Sequence, residues 1–232
     1  MKLNFASGDF KRYVFPYLNS NMYVFTENDN ALIIDPIVCD EAFSYLETLH
    51  IKNVLILLTH EHFDHTNGIN SFKKLFNARL ICQKNALLPK NQKFSNRPAI
   101  LSLVLMDKGM DEEAKQCEEI FQPYTYDADV SFDEEFTTEW QSHKITMKSI
   151  QGHSPASCLI IIDEENYFTG DSLIPDTEVI TKLPGGNKEI YYSATLPRLM
   201  EIPASATIFP GHGKPVKMNN LAFSGNRFVV IK

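Results

Sequence analysis

The chain has 232 residues, of which 44% are hydrophobic, so it can bury a substantial core and is too apolar to be a disordered chain. Its 22 basic and 29 acidic residues give a net charge of −7 without a block of lysines and arginines, so nucleic acid is not expected as a partner. Four widely spaced cysteines and the lack of a long apolar run favour a soluble, cytoplasmic protein with no membrane contact.

The N-terminal quarter favours short strands followed by a helix and a buried strand. β-Branched and aromatic runs at 12–16, 22–26 and 31–35 are separated by turn-prone asparagines, which predicts an antiparallel meander. Apolar residues at helical spacing predict a helix over 40–49, and the aliphatic run 54–58 is typical of a buried strand.

A polar loop follows this strand, and residues 59–65 of the loop read THEHFDH. A helix over 69–76 and a strand over 78–82 are expected next. Catalytic and binding residues are often carried by loops that join a strand to a helix, so this loop is the first candidate site.

The segment from about 86 to 139 has a different composition. Residues 98–106 are strongly apolar, whereas residues 107–139 contain 12 acidic residues against Lys108 and Lys115 alone. We predict a helical insertion followed by an acidic connector, within a single domain that spans residues 1–232.

Regular elements are expected to resume after this segment. The predicted elements are strands at 144–150, 158–163, 166–169 and 206–209, a helix over 188–200, and a short tail from 214 with an apolar end at 228–231. A strand-rich part followed by a helical part therefore occurs in both halves of the chain, which favours two similar layers, each of a sheet and its helices.

Three of the seven histidines lie within six residues, at 60, 62 and 65. Residues two apart point to the same side of an extended segment but to nearly opposite sides of a helix, so His60 and His62 can share an ion only on an extended loop. Asp64 and His65 could then serve a neighbouring ion. Imidazole and carboxylate ligands suit zinc, with iron or manganese as alternatives.

Further donors should come from other strand ends, because a zinc site needs at least three protein ligands. Three places share one pattern, in which a predicted strand is followed by a glycine and then by a metal-binding residue. They are Gly152-His153, Gly170-Asp171 and Gly211-His212.

These motifs, in this order, resemble those of the metallo-β-lactamase superfamily. The matching segments are THEHFDH at 59–65, GHSP at 152–155, TGDS at 169–172, FPGHG at 209–213 and the early aspartate Asp35. The resemblance implies the α/β (α+β) class and a four-layer αββα sandwich, in which two mixed β-sheets are flanked by helices and a dinuclear metal site lies between them.

The resemblance also implies a role for each matching residue. One divalent metal would be held by His60, His62 and His153, and the other by Asp64, His65 and His212. Asp171 would bridge the two metals, with zinc expected in both positions. Asp35 would orient ligands. The attacking water would be bound by the metals and would react as hydroxide, and Asp64 would accept the proton that this water loses.

The activity expected from the resemblance is hydrolysis of a thioester or ester, with a small acyl compound as substrate. Residues 183–189, LPGGNKE, are similar to the compact relatives of glyoxalase II, and an aspartate at 171 departs from the cysteine usual in the lactamases. Two other departures make glutathione specificity doubtful: Ala156 replaces the family's usual glycine, and only about twenty residues follow His212.

Four alternatives remain open. A mononuclear iron persulfide dioxygenase would use the same motifs. A lactonase is disfavoured because Ser172, Leu173 and Ile174 stand where a tyrosine is frequent. The net charge disfavours a phosphodiesterase, and the full set of donors disfavours a non-catalytic module.

The apolar stretch 98–106 is expected to cover the site as a wall or lid that selects a hydrophobic acyl group. The alternative is that this stretch forms the contact of a homodimer. His50 and His143 match no motif and are expected to be surface or packing residues.

Overall fold

Two six-stranded β-sheets form the centre of the computed structural model, which describes residues 10–231. The first sheet keeps the strands in chain order: β1 (Phe10–Val14), β2 (Asn21–Glu27), β3 (Asn30–Ile34), β4 (Asn53–Leu57), β5 (Asn77–Gln83) and β6 (Val130–Phe132). Strands β1 to β3 pair antiparallel, which confirms the predicted meander, and β3 to β6 pair parallel.

The second sheet also places strands that are consecutive in the chain side by side: β7 (Glu135–Trp140), β8 (His143–Ser149), β9 (Cys158–Ile162), β10 (Asn166–Gly170), β11 (Thr207–Pro210) and β12 (Val216–Lys217). All pairs are antiparallel except β10 with β11, so this sheet is mixed like the first.

Alternation along the strands creates two separate apolar surfaces. On β3, Leu32 and Ile34 join the core between the sheets, where they share a cluster with Phe168 of β10. Ala31 and Ile33 of the same strand lie in the cluster on the opposite face of the sheet. A strand buried on both faces reads as a continuous apolar run, because neither set of alternate side chains meets water.

Helices cover the outer face of each sheet. The first sheet is covered by helices that include α1 (Asp40–Thr48), α2 (Phe63–Thr66), α3 (Ile69–Leu75), α4 (Pro89–Ser95), α5 (Pro98–Asp107) and α6 (Asp111–Ile120). The second is covered by α7 (Lys188–Ile190), a π-helical turn (Tyr191–Thr195) and α8 (Leu196–Met200). Short 3₁₀ turns lie at Lys84–Leu87 and Met218–Asn220. The predicted αββα sandwich of two mixed sheets is confirmed.

The C-terminal boundary of the predicted insertion is wrong. Its first part is helical as expected, but its acidic end supplies β6 and β7, which are edge strands of the first and second sheets. The acidic residues of β7 alternate with less exposed ones, and an edge strand tolerates this pattern because one of its faces meets water. Only residues 121–129 form an irregular connection.

The predicted C-terminal tail is instead a hairpin of β13 (Leu221–Ser224) and β14 (Arg227–Val230). Leu221 and Phe228 are buried in the apolar cluster on the outer face of the second sheet. The turn contains Gly225 with a φ of 67°, a left-handed conformation that glycine adopts without a steric penalty. The Gly225-Asn226 pair was therefore an available hairpin signal.

The four cysteines are free thiols, and Cys82, Cys117 and Cys158 are buried. Burial raises the pKa of the Cys82 thiol to about 12, so this side chain packs as a small apolar group. Among residues 10–231, no helix has the length and hydropathy that crossing a bilayer requires.

Candidate metal centre

Three imidazoles converge where β4 and β8 end. His60 and His62 lie on the extended loop after β4, and His153 lies on the loop after β8. One nitrogen from each of the three rings lies within 4.8 Å of the other two. His62 Nδ1 and His153 Nε2 are 3.1 Å apart, close to the distance of about 3.3 Å between two nitrogens bound to one tetrahedral zinc.

A second group of donors lies next to the first. Asp64 and His65 belong to the single turn of α2, and His212 follows β11. The Oδ2 atom of Asp64 is 3.5 Å from His65 Nε2 and 3.6 Å from His212 Nε2. The loop predicted to carry all four donors of the THEHFDH motif is therefore extended at His60 and His62 but helical at Asp64 and His65.

Asp171 lies between the two groups, immediately after β10. Its Oδ1 atom is 3.6 Å from His65 Nε2, and its Oδ2 atom is 3.2 Å from His212 Nε2 and 3.8 Å from His153 Nε2. One carboxylate thus faces donors of both groups, which is the position a bridging ligand would need.

The outward-facing nitrogens of the histidine rings are held by protein acceptors. His153 Nδ1 lies 2.7 Å from the carbonyl oxygen of Ile180, and His212 Nδ1 lies 3.0 Å from that of Leu18. Because a carbonyl only accepts, each Nδ1 must donate, so in the neutral ring Nε2 is the nitrogen available to a metal ion. Such contacts fix the tautomer and the ring orientation of a metal-binding histidine.

Asp35 connects the first sheet to this arrangement. It is 1% exposed, and Thr59 donates to its Oδ1 through the backbone N–H at 2.7 Å and to its Oδ2 through the hydroxyl at 2.6 Å. Its Oδ2 is also 3.0 Å from His65 Nδ1. Asp35 lies near enough to His60 and His65 to form a third group of donors, but both of its oxygens already accept hydrogen bonds, so we assign it an orienting role.

Three buried polar atoms in this cluster have no hydrogen-bond partner: His60 Nε2, His65 Nε2 and Asp171 Oδ1. Buried polar groups are nearly always paired, so unpaired nitrogen and oxygen atoms that converge on one place need a ligand. Imidazole nitrogens and a carboxylate are suitable donors for zinc, iron or manganese. The residues therefore fit divalent metal ions.

Glu61, which is not among the predicted site residues, connects the two histidine loops. Its side chain is buried, and its Oε2 accepts hydrogen bonds from Ser154 Oγ at 2.6 Å and from the backbone N–H of Ala156 at 3.3 Å. Burial raises the pKa of this carboxyl. A signal was available: alternation on an extended loop that pairs His60 with His62 sends Glu61 to the opposite side.

Burial and neighbouring charges set different pKa values within the cluster. Burial lowers the pKa of His60 and of His62 well below the usual range, so both rings are neutral at pH 7. Burial acts in the same direction on His65, but the carboxylates of Asp64, Asp35 and Asp171 outweigh it and raise the pKa of His65 to about 10.

Metal binding is expected to release protons from the metal-free protein. His65 holds a proton at pH 7 because its pKa is raised, and coordination requires Nε2 to lose that proton. Affinity for zinc should therefore rise as the pH is raised from about 6 to 8, because less work is then needed to remove the proton of His65. Calorimetric titrations in buffers of different ionisation enthalpy measure this release. Equal heats in all buffers would contradict the assignment of His65.

A cavity of about 260 Å³ opens onto the donors, and its lining includes His62, Asp64, His153, Asp171 and His212. Helix α5 contributes Ile100, Leu101 and Val104 to the wall, as expected for the apolar stretch 98–106. Leu103 of the same helix is 62% exposed. His143 is buried against Asp163, with its Nδ1 2.6 Å from the carboxylate, and His50 is exposed, which agrees with their predicted packing and surface roles.

The sequence of this chain matches the model of a known protein family. The sequence model described as the Metallo-beta-lactamase superfamily matches residues 16–212. This range contains every donor of the cluster as well as Asp35.

Similar proteins include two curated relatives. The "Probable metallo-hydrolase YqgX" of Bacillus subtilis is 25% identical over 84% of this chain and 86% of its own length. A "Hydroxyacylglutathione hydrolase" of Glaesserella parasuis is 23% identical over 90% of this chain and 72% of its own length. Among solved structures, the BLEG-1 B3 metallo-beta-lactamase has a TM-score of 0.70 at 23% identity, covering 90% of this chain and 94% of that one, which shows a shared fold.

Proposed function

Because the chain belongs to the metallo-beta-lactamase superfamily, a superfamily of metallo-hydrolases, we propose that it hydrolyses a thioester or ester of a small acyl compound with two divalent metal ions. The observation that carries this proposal is the set of two adjacent donor groups, His60–His62–His153 and Asp64–His65–His212, with Asp171 facing both. Two groups of three donors favour two ions over a single iron.

The seven donors have defined roles in this proposal. His60, His62 and His153 would hold one ion, Asp64, His65 and His212 the other, and Asp171 would bridge them. Bound ions, zinc in the first instance, would lower the pKa of a water molecule towards 7 and polarise the acyl carbonyl. Asp35 keeps the ring of His65 in position through its 3.0 Å contact with Nδ1.

Asp64 also lines the cavity, so its carboxylate is placed to accept the proton of the attacking water.

Apart from Lys108, the ionisable residues that line this cavity belong to the donor groups or to Asp171. The cavity therefore contains no separate carboxylic acid to protonate a leaving group. A thiolate, with an ordinary thiol pKa of about 8.5, leaves without such help, whereas an amide nitrogen does not. This supports a thioester over an amide, and the similarity to a hydroxyacylglutathione hydrolase points the same way.

The proposal is tested by metal analysis of the purified protein together with a panel of thioesters, lactones and phosphodiesters. We expect two metal ions per chain and turnover of thioesters. One iron per chain with oxygen consumption on a persulfide would support the dioxygenase instead. Two bound metals with no turnover of any acyl substrate would exclude the proposed activity.

A pair of histidine variants controls for general damage to the protein. His60→Asn should abolish turnover because the unpaired Nε2 is lost from the first donor group. His50→Asn should retain it, since His50 is exposed and its φ of 53° is one that asparagine tolerates. Equal activities of the two variants would contradict the assignment of His60.

A further inference from the structure

A second, larger cavity of about 810 Å³ lies beside the metal centre and is here called the groove. Helices α4 and α5 form one side, and residues 178–184 with the start of α7 form the other. The groove and the metal cavity share six lining residues: Phe94, Ile100, Val104, Lys108, Ile180 and Leu183. Because the two cavities share these walls, one molecule can extend from the metal centre into the groove.

Three lysines line the groove, namely Lys108, Lys182 and Lys188. Among residues 10–231, no carboxylate lies within 4.0 Å of any of these ammonium groups. Six lysines elsewhere on the surface do pair with carboxylates: Lys52, Lys73, Lys84, Lys115, Lys144 and Lys148. Other lysines without such a partner lie outside the groove, among them Lys74, Lys90, Lys93, Lys214 and Lys217, but three unpaired lysines line this one cavity beside the candidate metal centre.

Asp107 and Glu178 also line the groove, so it carries three positive and two negative groups. Neither carboxylate is within ion-pair distance of a lysine, which leaves the three ammonium groups free for a ligand. Lys188 Nζ lies 5.8 Å from the ring of Tyr192, a contact that positions the cation at the wall of the groove. Lys108 is the lysine shared with the metal cavity, so it faces the junction of the two spaces.

We propose that the groove binds the thiol half of the substrate and that this half is an extended, anionic thiol. This inference rests on the proposed thioesterase function. Hydrolysis adds the oxygen of water to the acyl carbon and breaks the carbon–sulfur bond, so an acyl acid forms and the thiol takes the remaining proton. The smaller, apolar metal cavity holds the acyl group. The cations of the groove hold the negatively charged part of the leaving thiol.

The test uses butanoyl thioesters of three thiols that separate length from charge: N-acetylcysteamine is short and neutral, pantetheine is long and neutral, and 4′-phosphopantetheine is long and anionic. We expect kcat/KM for the phosphorylated thioester to exceed that for the pantetheine thioester by about tenfold or more at low salt, and this preference to shrink as ionic strength rises. Equal values for the two long thioesters would overturn the proposal.

The double variant Lys108→Ala, Lys182→Ala should reduce the ratio of the two kcat/KM values towards one. Lys74→Ala is the matched control, because Lys74 is an exposed lysine of α3 that lines neither cavity, and it should keep the ratio of the parent protein. An undiminished ratio in the double variant would assign the preference to another part of the surface.

Calorimetric binding of S-methyl pantetheine and S-methyl 4′-phosphopantetheine gives a readout that needs no turnover. The phosphorylated thioether should bind about tenfold more tightly to the parent protein and lose this advantage in the double variant. If this advantage is measured but no thioester is hydrolysed, the proposed function fails and the anionic groove stands. If every thioester is hydrolysed alike and both thioethers bind alike, the groove proposal fails while the function stands.

Discussion

Replacement of Asp171 by alanine is expected to lower kcat/KM for thioester hydrolysis by about 10⁴-fold, or about 5 kcal/mol of transition-state stabilisation. The carboxylate faces His65 and His212 on one side and His153 on the other, so its removal takes away the one side chain that faces both donor groups.

The expected loss is measured by steady-state kinetics together with metal content, and circular dichroism checks the fold. Fewer than two metal ions per chain should remain bound in the Asp171 variant. Asp127→Ala is a suitable control, because Asp127 is exposed and lies outside the donor groups. Full activity with a complete metal complement in the Asp171 variant would refute the bridging role.

Gly211→Ala is expected to lower kcat/KM by about 10² or more without a change in any donor. A Cβ atom at this position would overlap Asp171 Oδ1 and would lie 2.9 Å from the backbone carbon of Gly170 and 3.1 Å from His65 Cε1. The backbone cannot easily yield, because Gly211 donates to the carbonyl of Gly170 at 2.8 Å and accepts from Asn21 at 2.7 Å. The Asp171 carboxylate must therefore move, and a displacement of about 1 Å at a reacting centre costs about 10² in rate.

Gly213→Ala is the matched control for this steric argument. Nothing lies within 4 Å of a Cβ atom at Gly213, although its φ of 84° makes alanine strained there. This variant should therefore lose about 1 kcal/mol of unfolding free energy and keep most of its activity. Thermal denaturation and kinetics separate the two effects. Equal rate losses in the two variants would show that strain, and not the contact with Asp171, is responsible.

The donors could be found from sequence because each follows a strand. A parallel or mixed sheet brings the ends of its strands to a common edge, and the glycines at 152, 170 and 211 mark where the chain turns there. The groupings His60–His62–His153 and Asp64–His65–His212, which the family resemblance implied, match the groups of donor atoms in the structure.

The parts that sequence patterns missed depend on contacts between distant segments. The carbonyl groups of Leu18 and Ile180 hold His212 and His153, but every residue has a carbonyl, so nothing in the sequence distinguishes these two. The sequence pattern of the acidic strand β7 predicts a connector, because acidic residues are rare in strands. Its place at the sheet edge, paired with β8, overrides that preference.

The proposed ligands come from both halves of the sandwich. His60, His62, Asp64 and His65 follow β4 of the first sheet, whereas His153, Asp171 and His212 follow strands of the second. Ions bound between them would act as cross-links between the two halves, and binding to the folded state alone adds about 2.7 kcal/mol of stability when the free ion is at 100 times its dissociation constant. The supply of metal in the surroundings would then set how long the folded protein persists, as well as how fast it turns over substrate.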